Sequence, residues 1–406
     1  MKKVIERIVE SPGAPNENDL WLNGTELKKF QNGEWVNISG GDSPVDFPQA
    51  DWEQSDPNAP DYIKNKPESL TADDILDAVA QKEYLTFEAV GDSTPVYFVA
   101  ETYEDDEEDE YEVNRTIEVS TDCINWTTKK SSEDETLLAT LNTGEKLYIR
   151  GKNKSYGEDY DDEYYASYFK TNKAVYVYGN IMSLICGEDF LVSHNSFSTE
   201  SCTFAKLFHG VGQYLYFRND KRLVLPLKDL DAMAYAKMFA GCTHITYVPT
   251  LPAKYARSYC YHGMFEGCTG LTEVPNLNSD YAFNGCYKEM FKNCTNLKWG
   301  PKELKAKQVN NEAYYGMFEG CTSLHTAPKI LAESFSNNSA ARMFYGCSSI
   351  HSIECHVKTK TPTSTGNWLY GVASWGYITV PKDSEIWEAD SPSGVPSGWN
   401  LNKILE

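Results

Sequence analysis

The 406-residue chain has no long apolar run: stretches such as Ile181–Ile185 and Leu223–Leu227 fall far below the roughly 20 residues that cross a bilayer. That excludes membrane insertion by a helix. It also has no basic excess, with 37 Lys and Arg against 59 Asp and Glu, a formal net charge of −22. A partner that binds through phosphates needs a cationic surface, so nucleic acid is excluded too. Histidine is scarce, seven in all, and none stands in an HExxH arrangement or beside a Cys pair. GxSxG, P-loop and GxGxxG patterns are missing. Carboxylate pairs for glycoside cleavage can come from distant positions, but no motif points to them, so we expect no enzyme and no cofactor. Residues Met1–Glu10 carry charges without the apolar segment of a secretory leader, and the 11 Cys are odd in number, so we expect reduced thiols and synthesis without export.

What is present is unevenly spread. Residues 1–180 hold 39 acids and 17 bases, whereas residues 181–406 hold 20 of each. Residues 1–41 read as a small β module, with Leu20-Trp21-Leu22, Leu27–Phe30 and Trp35–Ile38 separated by Asn-Gly turn signals. A unit of this size cannot bury enough surface alone, so Trp21, Leu22, Phe30 and Trp35 are candidate attachment residues. Residues 42–82 comprise a linker with five Pro in 42–67 and a short helix over Thr71–Gln81. Residues 83–180 alternate apolar and polar in short runs, which predicts a β-sandwich. Nine of the twelve residues in Glu101–Glu112 and five of the six in Glu158–Glu163 are acidic. Calcium is one reading of these runs, but without the ligand spacing and turn glycine of a calcium loop, solvated loops are the better one.

Residues 181–406 carry an internal repeat, Met-Phe-x-(Gly/Asn)-Cys, at Met238, Met264, Met290, Met317 and Met343, with steps of 26, 26, 27 and 26. The repeated side chains are Met238, Phe239 and Cys242; Met264, Phe265 and Cys268; Met290, Phe291 and Cys294; Met317, Phe318 and Cys321; and Met343, Phe344 and Cys347. Degenerate copies at Leu207–Gly210 and Leu369–Gly371 suit the ends of a solenoid. Each unit reads as a short helix bearing Met-Phe, a turn at Cys, and a short strand. Tyr235, Tyr261, Tyr287 and Tyr314 precede the repeat Met by three residues. They read as core, with a stacked sugar platform as the alternative. One Cys per coil predicts a ladder of small buried thiols rather than a metal or disulfide site, and Cys260 and Cys286 predict a second, shorter ladder.

The unit Tyr261–Pro275, YHGMFEGCTGLTEVP, resembles the BspA-like leucine-rich repeats of gut Bacteroidetes and their phages. The fifth copy departs from that pattern: Ala340 stands for Tyr and no Pro follows Ile350. NDLWLNGTELKKFQNGEWVNISGG near the N-terminus is similar to the small head-fibre or fibre-attachment proteins of Bacteroides phages, including crAss-like phages, and Gln49–Pro67 is similar to a connector common in phage tail and head fibres. The resemblance implies a multidomain, mainly β chain: an N-terminal β module (1–41), a linker and helix (42–82), a β-sandwich (83–180) and an α/β leucine-rich-repeat solenoid (181–406). It implies a homotrimeric head fibre at the virion surface. Its partners would be capsid or other virion proteins and, at the outer end, host or mucus glycans. A bacterial BspA-like surface adhesin and a tail fibre are the alternatives.

Overall fold

The computed structural model describes residues 72–104, 109–160, 163–191, 200–274, 276–391 and 393–405, and the backbone of four strands nearer the N-terminus. Contacts divide the chain into two units, residues 1–70 and 71–406. In the first, Ile8–Glu10 (β1), Leu20–Asn23 (β2), Glu26–Gln31 (β3) and Glu34–Asn37 (β4) form one sheet in the order β1-β2-β3-β4. β2 pairs antiparallel with β3, and β3 with β4, each across two intervening residues, in keeping with the meander read from the turn signals. The Pro-rich stretch 42–67 lies outside the described residues.

The second unit opens with the helix Ala72–Ala80 (α1). Eleven strands follow, nine of which build two sheets: Leu85–Ala89 (β5), Thr94–Ala100 (β6), Thr102–Glu104 (β7) and Glu110–Glu112 (β8) come first. Thr116–Ser120 (β9), Thr127–Lys130 (β10), Thr136–Leu141 (β11), Lys146–Gly151 (β12), Gly157–Tyr160 (β13), Glu163–Lys170 (β14) and Val175–Asn180 (β15) follow. One sheet runs β10-β9-β12-β5-β15, the other β11-β6-β14-β13, while β7 and β8 pair as a separate hairpin. Alternation decides the packing, since the buried residues of β12 are every second one (Leu147, Ile149, Gly151). The sheets share a core in which Phe169 of β14 lies 5.1 Å from Phe87 of β5 and 5.3 Å from Phe98 of β6.

The rest is a β-solenoid of about five turns, so the chain is mainly β with few helices. The expectation of an α/β solenoid with a helix at each Met-Phe is corrected. Those segments form turns in which every fourth residue has positive φ, as at Tyr259, Gly263 and Gly267. Every second N–H donates to the next coil: Tyr261 to the Cys286 carbonyl, Gly263 to Lys288, Phe265 to Met290 and Gly267 to Lys292. The amides between them, His262, Met264, Glu266 and Cys268, donate three residues back. A helix would use nearly all these donors internally. Here half of them join one coil to the next.

Two aromatic columns run along the interior. Phe208, Phe239, Phe265, Phe291, Phe318 and Phe344 stack at centroid separations of 5.4–5.7 Å. Tyr235, Tyr261, Tyr287 and Tyr314 stack beside them at 5.6–6.0 Å, and Ala340 ends that column. Each ring is fully buried, a contribution of about 2–3 kcal/mol per side chain. At the near end Leu207 and Phe208 are buried in the Met and Phe places; at the far end the Phe344 N–H donates to the Trp368 carbonyl, so the copy expected 26 residues after Met343 is shifted by one, with Trp368 in the Met place and Leu369 in that of Phe.

The expected boundary after Asn180 does not separate two cores. β15 pairs antiparallel with β5 and, on its other side, parallel with Leu215–Tyr216 and Leu223–Val224 of the first coil. Phe87 and Phe169 also reach Phe208, so the sheet core continues into the Phe column. Polar contacts cross the same junction. Glu101 accepts from Lys206 at 3.0 Å, and the Tyr164 hydroxyl lies 2.6 Å from Nδ1 of His262.

Candidate functional site

The repeated Met, Phe and Cys side chains form the solenoid interior, each with no exposed surface. Each repeat thiol donates to the Phe carbonyl of the preceding coil: Cys268 to Phe239 at 3.1 Å, Cys294 to Phe265 at 3.1 Å, Cys321 to Phe291 at 3.0 Å and Cys347 to Phe318 at 2.9 Å. Burial disfavours the thiolate and pushes the Cys294 thiol up to about 12. Cys260 and Cys286 are buried as well, and burial raises both thiols well above the ordinary range. All eleven cysteines are free, with Cys123 alone exposed. The four column tyrosines are 1–3% exposed, which removes them as a sugar platform and assigns them to the core.

Backbone pairing sets Phe30 opposite Trp35 and Trp21 opposite Lys28, with Leu22 beside Trp21. The side chains of Trp21, Leu22, Phe30 and Trp35 lie outside the described residues. Within the acidic runs, Glu101, Glu112 and Glu158 have structural partners: Glu158 pairs with Arg115 at 2.8 Å, and Glu112 accepts the Glu133 N–H at 2.7 Å. Among the described residues no group of three or more His, Cys, Asp or Glu is placed to hold a metal ion.

The surface chemistry lies on a wall that the repeat motif does not name. Short parallel strands stack Tyr255 on Tyr281, and Gln308 on Ser334 and Thr359, while Asp229 bridges to Tyr255 at the near end. After Asp229, Tyr281, Gln308 and Ser334 the next residue faces inward: Leu230, Ala282, Val309 and Phe335 are all buried. The residue after that faces out again, giving a second column of Asp231, Arg257, Phe283, Asn310 and Ser336, which ends at Thr361, whose hydroxyl is buried. Tyr255, Tyr281 and Phe283 are 48%, 50% and 38% exposed, and the two Tyr rings stack at 5.7 Å. A groove of about 350 Å³ opens beside Tyr255 and Phe283, lined also by Asp231, Ala232, Arg257 and Ser258. A second cleft of about 500 Å³ lies where α1 meets the coils, with Arg222 over the Tyr247 ring at 4.4 Å and Asp77 accepting from Thr250.

Sequence reasoning missed this wall. The signal was available in Tyr255-Ala256 and Tyr281-Ala282, a large and a small residue repeated at the coil period of 26.

Over 48 residues the chain is 40% identical to the head fibre trimeric protein of Bacteroides phage crAss001. The chain is similar there to a phage fibre. The match covers 12% of this chain and half the length of that relative. No family model and no solved structure matches the chain. Among the described residues no helix is long and apolar enough to cross a membrane.

Proposed function

We propose that this chain is a structural fibre of a bacteriophage virion. Residues 1–41 attach it to the head, and the second unit points outward. The observation that carries the reading is the 48-residue similarity to a phage head fibre protein. That relative is named trimeric, which supports a homo-oligomer here, and we assign a homotrimer whose partners at the base are capsid or other virion proteins. The two-sheet region is read as a β-sandwich and the coils as BspA-like leucine-rich repeats. The function is adhesion to host-surface or mucus glycans, without catalysis or a cofactor. Two features support adhesion: the balanced charge of residues 181–406, and large aromatics left half-exposed on a repeat otherwise buried.

Deletion of residues 1–41 tests attachment. Particles assembled with the truncated protein should lack it, while the truncated chain stays folded. Normal incorporation of the truncated chain refutes attachment through this module. Recovery of the full chain in the host envelope fraction, and its absence from purified virions, would favour a bacterial surface adhesin instead. Light scattering should give three times the 45.8 kDa chain mass; a single chain mass refutes the trimer.

A further inference from the structure

We propose that the outward wall through Tyr255, Tyr281 and Phe283 binds an extended neutral oligosaccharide lying along the solenoid axis, with successive sugar rings meeting successive coils. The inference deepens the adhesion reading above and rests on it for its biological purpose.

Three properties of the wall select this ligand. The first is the kind of apolar surface exposed. The two outward columns contain no Leu, Ile, Val or Met, and their only large apolar side chains are the three aromatics. A protein partner is held by a broad apolar core. A sugar needs a flat aromatic face for its C–H surface and polar groups around the edge for its hydroxyls. Here the aromatic rungs are followed directly by amides and hydroxyls, Gln308 and Asn310 and then Ser334 and Ser336.

The second property is charge. Among the eleven outward positions only Asp229, Asp231 and Arg257 are charged, two carboxylates and one guanidinium. The exposed residues just before the first column are Lys228, Lys254, Asp280, Lys307, Glu333 and Lys358, so a polyanionic glycan lying along the coils would meet carboxylates interrupting the ammonium groups. A neutral one loses nothing.

The third is spacing. Parallel strands step by about 4.8 Å from coil to coil, and the Tyr255 and Tyr281 rings are 5.7 Å apart. A pyranose ring in a linear chain is about as long as that step. The same polymer can therefore present one ring per coil, anchored where the groove beside Tyr255 has Arg257 and Asp231 at its rim.

The test titrates the full chain with β-1,4-glucan, mannan and N-acetylglucosamine oligomers of increasing length, with a uronate oligomer alongside. At least one neutral series should bind, with affinity rising about tenfold between the dimer and the longest oligomer. It should change less than about twofold across a salt range that screens exposed charges. Y255A/Y281A should weaken binding by about tenfold or more, whereas Y255F/Y281F keeps it. Q308A/N310A should weaken only the longer oligomers. Both Tyr are half-exposed, so an unfolding midpoint near that of the unaltered chain verifies that the alanine variant is folded. The proposal is overturned if no neutral oligomer binds, if only the uronate binds and salt abolishes it, or if Y255A/Y281A binds normally. The fibre reading is measured separately, by the protein's presence in purified particles. Adhesion is measured by adsorption of fibre-less phage, so each can fail without the others.

Discussion

Gly241→Ala distinguishes the coil turns from helices by the sign of its effect. Gly241 sits four residues after Lys237 in a turn segment, with φ at +76°. A Cβ placed there meets no atom within 4 Å, so steric crowding adds nothing and the backbone alone decides. In a helix interior, exchanging Gly for Ala stabilises by about 0.8–1 kcal/mol. At positive φ the Cβ instead costs roughly 1–2 kcal/mol, because the left-handed conformation crowds it against the carbonyl oxygen. The two geometries thus differ by about 2–3 kcal/mol in predicted effect. Lys237 supplies the converse, since it holds positive φ with a side chain present. Replacing it by Gly should be neutral or stabilising by a few tenths of a kcal/mol, where a helix would lose about 0.5–1. Urea unfolding followed by far-UV circular dichroism reads both. A raised midpoint for Gly241→Ala, with a lowered one for Lys237→Gly, would refute the turn geometry.

Truncating Phe291 should cost about 3–5 kcal/mol, and Phe291→Leu about 1–3, because Leu keeps most of the volume but loses both ring contacts; urea midpoints measure both. The repeat thiols should resist alkylation in the native chain and react fully after unfolding, as counted by mass spectrometry, with Cys123 reacting first. Glu289 should lend acid-dependent stability. Hydrogen bonds from His262 first and Lys292 next hold its carboxyl down to about 2 against the opposing effect of burial. The stabilisation is complete above the unfolded value near 4.5 and is lost as pH falls from there through about 2. After discounting for solvent it is on the order of 1–2 kcal/mol. Glu289→Gln should therefore flatten the fall in melting temperature over that range, and an unchanged profile refutes the assignment.

The repeat was the most legible feature because each coil repeats the same burial, so Met264, Phe265 and Cys268 identify their counterparts by spacing alone. The backbone of that segment was not legible. Tyr261, Met264, Phe265 and Cys268 fall at intervals of 3, 1 and 3, the apolar pattern of a helix face. A ribbon turning every four residues buries the same positions. Gly263 and Gly267, four apart in a supposed helix interior, were the contrary sign, since Gly is poor there and favoured at positive φ. The column tyrosines drew the search for a binding surface inward for a related reason: spacing identifies a shared face but not whether that face is wet. The join between sheets and coils depends on β15 pairing with residues about 40 positions later, and no local pattern encodes such a partner.

The cross-coil bonding has a consequence for how such a chain changes over generations. Each coil is tied by its amides and thiols only to the coils beside it, and its ends meet neighbours of the same shape. A recombination that removes or duplicates one 26-residue unit in register leaves the ladders able to close again. Neither the β15 junction nor the final strands need change. What does change is the sequence of outward side chains, because each coil contributes its own pair. The buried repeat is the constant, and the outward positions of each coil are the variable text: exchanging whole units would lengthen, shorten or reorder that outer surface without redesigning a core.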